Sequence, residues 1–233
     1  MSGGTGNHGA SAVLNRHQDA LADQIAILAR SGGTKGRHEF AALLSLVAGE
    51  SAFKPHAENH RTGAQGPFQF VKSTWLSLLR THGAVLGIKP ALIAQIVEGA
   101  NGRPTIANHA VLRELLSLRN DFAISAQAAA FYLDDNRAAL ARSLHRAPTD
   151  AEVRLSFLLG PHGAAKLIRS AERTPETPAA SIVPRAAAAN PRLFYLPDGE
   201  PRDAAAILAF LDRSARRDAA KYAAYARVQD AAV

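Results

Sequence analysis

Three features of the 233-residue sequence predict an all-α protein. Apolar residues recur at three- and four-residue spacing along most of the chain, and no stretch sustains the two-residue alternation of a half-buried strand. Much of the 47% hydrophobic content is alanine and only 6% is aromatic, which suits closely packed helices better than an aromatic-rich sheet core.

The elements follow in chain order. Residues 1–12, rich in Gly, Ser and Asn, read as a disordered tail. From Ala12 to Arg30, the spacing of Leu14, Leu21, Ile25 and Leu28 predicts a helix stopped by Gly32-Gly33. A second helix is expected from about Arg37 to Ser51, with Phe40, Leu43, Leu44 and Val47 on one face. A loop dense in His, Asn, Gly and Pro spans Lys54 to Gly66, and a short helix around Ser73–His82 turns Trp75, Leu78 and Leu79 inward. Weaker helical segments occupy 90–98 and 105–118, before a long Ala-rich helix from Asp121 to Arg146. Pro148-Thr149-Asp150-Ala151-Glu152 opens a further helix, capped by Thr149 or Asp150, that reaches Leu159 and breaks at Gly160-Pro161; Ala164–Ala171 makes another. Six of the twelve prolines fall in 172–202, which reads as an extended Pro-rich arm packing on the body, and 203–233 as an amphipathic C-terminal helix. The main domain is then 13–171.

Composition excludes several function classes. With no cysteine, the chain has no disulfide framework, thiolate zinc site, iron–sulfur cluster or cysteine nucleophile. No apolar run reaches the roughly 18–20 residues of a membrane-spanning helix. The net charge of +7 points to an anionic partner: nucleic acid, anionic lipid or an acidic polymer such as cell wall. The basic residues are scattered and do not interleave with aromatics, so charge alone does not choose among these, and nucleic acid, with only the basic balance behind it, is the least expected partner. The start MSGGTGNHGASAV lacks the charged and apolar regions of a secretory signal.

Familiar motifs are absent or out of place. Gly4, Gly6 and Gly9 match a dinucleotide loop, but no strand precedes them. His56 and His60 have an i,i+4 spacing without a third ligand, so no metal site is expected. Glu50 is different. Phe40, Leu43, Val47 and Glu50 follow i, i+3, i+7, i+10, which continues a buried stripe into a carboxylate at the C-terminal end of a helix. Desolvation and the negative end of the helix dipole both favour the protonated acid there. Glycosidic-bond cleavage needs such a group, because the leaving oxygen must receive a proton. The plainer alternative is a frayed helix end with Glu50 in water.

Around Glu50 stand Glu50-Ser51-Ala52-Phe53-Lys54-Pro55, Gly63-Ala64-Gln65-Gly66-Pro67-Phe68-Gln69-Phe70 and Ser73-Thr74-Trp75-Leu76. Together they resemble the lytic transglycosylase family of the soluble, goose-lysozyme-like type. That family combines a helix ending in Glu-Ser with a Gly-x-x-Gln segment leading into a Thr-containing helix. Leu118-Arg119-Asn120-Asp121, Phe157-Leu158-Leu159-Gly160-Pro161, Val183–Asn190 and Phe194-Tyr195 are similar to a branch common in alphaproteobacterial genomes. The resemblance covers about 37–210.

It implies a lysozyme-like helical domain in which Glu50 is the catalytic acid and base at the bottom of a saccharide groove. The implied reaction cleaves the bond between N-acetylmuramic acid and N-acetylglucosamine in peptidoglycan and closes a 1,6-anhydro ring, with no metal or organic cofactor. Ser51 and Gln69 match positions that help hold substrate or the acid. A back-bonded helix-end hydroxyl is the alternative for Ser51, and a loop brace for Gln69. Phe157 stands where the usual family has a tyrosine that approaches the acid, which leaves Tyr132 as a candidate to supply that contact. Pro67 takes a site usually filled by an apolar residue such as leucine. Trp75 reads as core, and Glu58 and Asp121 are the only candidates for a second carboxylate, as a hydrolase would require.

The partners implied are peptidoglycan strands and, for local opening of the wall, an envelope-spanning secretion, pilus or flagellar assembly. The family implies the periplasm; the missing signal leaves a cytoplasmic pool or a non-standard export route. The alternatives are a hydrolytic muramidase and a catalytically weak wall-binding or assembly factor with the same fold.

Overall fold

The computed structural model describes residues 37–230 and the isolated positions 20, 23, 24 and 27. The predicted tail, most of the first predicted helix with Leu14, Leu21, Ile25 and Leu28, and the side chain of Phe40 lie outside the described residues. Among these residues the chain is all-α. Its helices are α1 (Arg37–Glu50), α2 (Lys72–His82), α3 (Pro90–Ile93), α4 (His109–Ser117), α5 (Phe122–Leu144), α6 (Asp150–Arg173), α7 (Ala179–Ile182), α8 (Pro184–Ala189), α9 (Pro191–Phe194) and α10 (Ala204–Asp230). None of them is long and apolar enough to cross a membrane.

Two small antiparallel hairpins interrupt the helices. Strand β1 (Glu58–Asn59) pairs with β2 (Ala64–Gln65), and β3 (Val97–Glu98) with β4 (Pro104–Thr105). The second hairpin corrects the expectation of helix across 90–98: only Pro90–Ile93 is helical, started by proline at its first position. Two-residue strands are too short to show any alternation in sequence.

Local chemistry explains the helix starts. Asn108 accepts bonds from the amides of Ala110 and Val111 to cap α4, and Asp121 accepts from Ile124 to cap α5. At α6 the cap is Thr149: its hydroxyl accepts from the Glu152 amide while the Glu152 carboxylate accepts from the Thr149 amide, a reciprocal capping box. The break expected at Gly160-Pro161 is a kink inside one long helix. Gly160 takes φ 72° and ψ 159°, and Pro161, having no N–H, deprives the Phe157 carbonyl of its i+4 partner.

Two apolar clusters hold the molecule together. The first joins α1, α2, α4 and α5 around Leu43, Val47, Phe68, Trp75, Leu79 and Leu115, with Ile27 packed against it. The second joins α5, α6 and α10 through Leu140, Leu155, Leu167, Ile207 and Leu211. Ala179, Ala187, Leu193 and Phe194 belong to this second cluster, so segment 172–202 packs on the body. It is not extended, however. Three of its prolines stand at or just before the first turns of α7, α8 and α9, where their fixed φ favours the short helices seen there.

Candidate active site

Chain reversal after α1 places Glu50. Ser51 and Phe53 both donate backbone bonds to the Val47 carbonyl, and Ala52 and Phe53 take φ of 50° and 64°. Consecutive left-handed residues other than glycine cost of the order of 1 kcal/mol or more each. Burial of the Phe53 ring against the first cluster, and a bond from Gln24 Nε2 to the Phe53 carbonyl (3.3 Å), hold them. The turn leaves Glu50 at the last position of α1, partly buried and facing a cavity of about 390 Å³. A cavity of that size is within the ordinary range for small-ligand sites.

The cavity has three walls. Phe68, Gln69, Phe70 and Thr74 come from the turn after β2 and from α2; Tyr132 comes from α5 and Phe157 to Gly160 from the kink of α6; Asn59 and Thr62 of the first hairpin face Ala189 and Asn190 of the arm. Phe70 is the centre of an aromatic group. Its ring lies 5.4 Å from Trp75, 6.1 Å from Tyr132 and 5.6 Å from Phe157, measured between centroids. A second cavity of about 310 Å³ shares Thr74 and Tyr132 with the first and is rich in hydroxyls, from Ser73, Ser77 and Thr81. The two therefore adjoin.

Among the described residues no hydrogen bond reaches the Glu50 carboxyl, and Glu50 is the only acid in the first cavity's lining. Burial pushes that carboxyl up to about 7, with the Arg154 guanidinium of α6 pulling the other way. The helix end adds its own bias in the same direction as burial. At neutral pH such a group is divided between acid and base, the condition for giving a proton and taking one back.

The other expected site residues are distributed unevenly. Gln69 lines the cavity, in a left-handed conformation (φ 50°), and its Nε2 donates to the carbonyls of Ala57 and Gly66, both at 2.9 Å. Its donors brace the loop, and its carbonyl oxygen is the group left over. Ser51 is buried, donates to the Val47 carbonyl at 3.3 Å and is not part of the lining, as the back-bonding alternative requires. Phe157 and Tyr132 pack edge to face, 5.3 Å apart, and both line the cavity. No hydrogen bond joins the Tyr132 hydroxyl to Glu50 among the described residues; burial raises its pKa, with the neighbouring Asn136 amide opposing. Trp75 is core, donating Nε1 to the Leu115 carbonyl at 2.7 Å. Glu58 faces His60 at 3.6 Å and Asp121 caps α5, so neither candidate second carboxylate enters the cavity.

Two parts of the sequence explain how the loop is held. Arg119, 6% exposed, donates to the carbonyls of Gly63 (3.0 Å) and Phe70 (2.9 Å) and to Gln65 Oε1 (2.5 Å). A Cβ on Gly66, which has φ 83°, would lie 1.9 Å from the Arg119 carbonyl oxygen, so only glycine fits there. Arg154, Asn59, Thr62 and Asn190 were not legible as site residues. The one available signal was Arg154 itself: a charge inside the apolar run Val153–Leu159, three residues before Phe157 and hence on its face. No known family model matches the chain.

Proposed function

We propose that the protein is a peptidoglycan lytic transglycosylase with a lysozyme-like helical domain, in which Glu50 is the sole acid/base. The observation that carries this reading is the lone, unbonded carboxyl of Glu50, held near pKa 7 at the wall of a cavity with no second acid in its described lining. The residue pattern from Glu50-Ser51 through Gly66 to Gln69 and Thr74 supports the same family.

In this mechanism Glu50 protonates the oxygen between N-acetylmuramic acid and N-acetylglucosamine as the C1–O bond breaks. The muramic C6 hydroxyl then attacks C1 and gives its proton to the Glu50 carboxylate. The 1,6-anhydro ring closes, the acid is restored, and no water is consumed. The substrate supplies the nucleophile and its N-acetyl group assists, so a single carboxyl suffices; a two-carboxylate hydrolase would need its second acid about 5–9.5 Å away. Phe70 and Phe157 give the cavity an apolar part of its lining for a sugar ring, and Gln69 and Asn190 give it polar groups. The net charge of +7 favours approach to strands whose stem peptides carry carboxylates.

Digestion of purified sacculi followed by mass spectrometry tests the reading. Wild type releases muropeptides with anhydro ends, and Glu50→Gln releases none while still binding the wall. Reducing ends in place of anhydro ends would mean a hydrolytic muramidase. Binding without cleavage by both proteins would leave a wall-binding or assembly factor.

A further inference from the structure

Against the last turns of α1, and outside the lining of the cavity, lies a chain of polar and charged groups that crosses three helices. Arg154 of α6 is 9% exposed and donates Nη2 to the Ser45 carbonyl (3.1 Å) and Nη1 to the Ser45 hydroxyl and the Leu211 carbonyl (3.4 Å). The Ser45 hydroxyl in turn donates to Asp218 Oδ2 at 3.0 Å. Asp218, on α10 and 5% exposed, also accepts Nε and Nη2 of Arg217 on Oδ1, at 3.3 and 3.2 Å. Gly49 makes room for this: a Cβ there would stand 3.1 Å from Arg154 Nη2. Arg154 Nε is buried without a partner among the described residues.

The chain contains two guanidiniums and one carboxylate. Its excess positive charge is carried next to the last turn of α1, beside Gly49 and within electrostatic reach of Glu50. Arg154 is too basic to lose its proton even when burial disfavours its charge. We propose that Asp218 and Arg217, on the C-terminal helix, are positioning residues for Glu50: through Ser45 and Arg154 they set how strongly a buried positive charge favours its ionised form. The C-terminal helix, which the sequence places outside the main domain of 13–171, is then part of the acid/base apparatus. The other elements around Glu50 present Tyr132 from α5, Thr74 from α2, and Asn59, Thr62 and Asn190 from the hairpin and arm. Asp135 lies beside Tyr132, and Arg61, exposed, is bonded to the carbonyls of Ala188 and Ala189. None of these joins the chain against α1.

The role as an acid/base rests on the glycan-cleaving reading, but the first readout does not. The Glu50 carboxyl is titrated by carbon-13 NMR in protein labelled at glutamate, its resonance assigned by its loss in Glu50→Gln. Asp218→Asn leaves two uncompensated guanidiniums and lowers the midpoint by about one pH unit, a tenfold change in proton affinity. Arg217→Met frees Asp218 to offset Arg154 and raises the midpoint, by roughly 0.3 unit because the side chain is 70% exposed. Arg154→Met raises it most, and Arg154→Lys restores it in part. Shifts of opposite sign in Asp218→Asn and Arg217→Met support the coupling, and equal or absent shifts overturn it. Should Asp218→Asn fail to fold, the exposed Arg217→Met decides alone: an unmoved or lowered midpoint overturns the proposal. If the midpoints move as stated and no variant or wild type cleaves sacculi, the coupling stands and the glycan reading fails. If sacculi are cleaved, the upper limb of the pH–rate profile moves with each midpoint.

Discussion

Glu50 and Glu152 are both glutamates of helices, each with an arginine nearby, and their environments push them in opposite directions. Glu152 sits in the first turn of α6, 5% exposed. Burial disfavours its charge, yet two bonds from Arg146 (2.9 and 2.7 Å) and the Thr149 amide (2.7 Å) outweigh it, and its pKa is lowered. Glu50 sits in the last turn of α1, has no hydrogen bond among the described residues, and is raised to about 7. Burial is the largest single influence on both. What separates them is whether donors meet the carboxylate, and at which end of the helix dipole it lies. The satisfied glutamate is structural, and the unsatisfied one is available for chemistry.

The sharpest way to break the comparison is to neutralise each in turn. Glu50→Gln is expected to lower the rate of sacculus cleavage by at least about 10²–10⁴-fold, the range of general acid–base catalysis, while Glu152→Gln leaves it within about threefold once folding is confirmed by circular dichroism.

Stability should show the reverse order. A carboxyl whose folded pKa (about 7) exceeds its value in the unfolded chain (near 4.5) contributes stability in full below pH 4.5 and loses it as pH rises to 7. Glu50→Gln should therefore be more stable than wild type at pH 8, by up to about 3 kcal/mol, and no different at pH 4, as read from urea unfolding. Glu152, with its lowered pKa, contributes above pH 4.5 and loses that contribution as pH falls through its folded value. Glu152→Gln should cost about 2 kcal/mol at pH 8, and the deficit should shrink below pH 4. The smallest effect is expected from Thr149→Ala. Loss of its hydroxyl from the capping box costs about 1 kcal/mol in the same unfolding assay and leaves the Glu50 midpoint unchanged.

Much of this was legible in one dimension. The stripe of Leu43, Val47 and Glu50 marks an acid that continues a buried helix face, and Pro148-Thr149-Asp150-Ala151-Glu152 marks where α6 begins. Both are local patterns, set by 3.6-residue periodicity and by side chains that bond to amides a few positions away. The arm misled because prolines are equally compatible with extended chain and with first turns of helices. Only the packing of Ala179, Ala187 and Phe194 on α6 and α10 distinguishes the two.

By itself, then, the sequence determined the helical class, the starts of α5 and α6 and an acid in an apolar stripe, because each depends on neighbours within one or two turns. The tertiary structure alone decided that Phe70, Tyr132 and Phe157 meet around that acid, and that Asp218 reaches Ser45 across 173 positions of chain. Those contacts depend on how separate helices bury their faces against one another, and such distances leave no periodic trace along the chain.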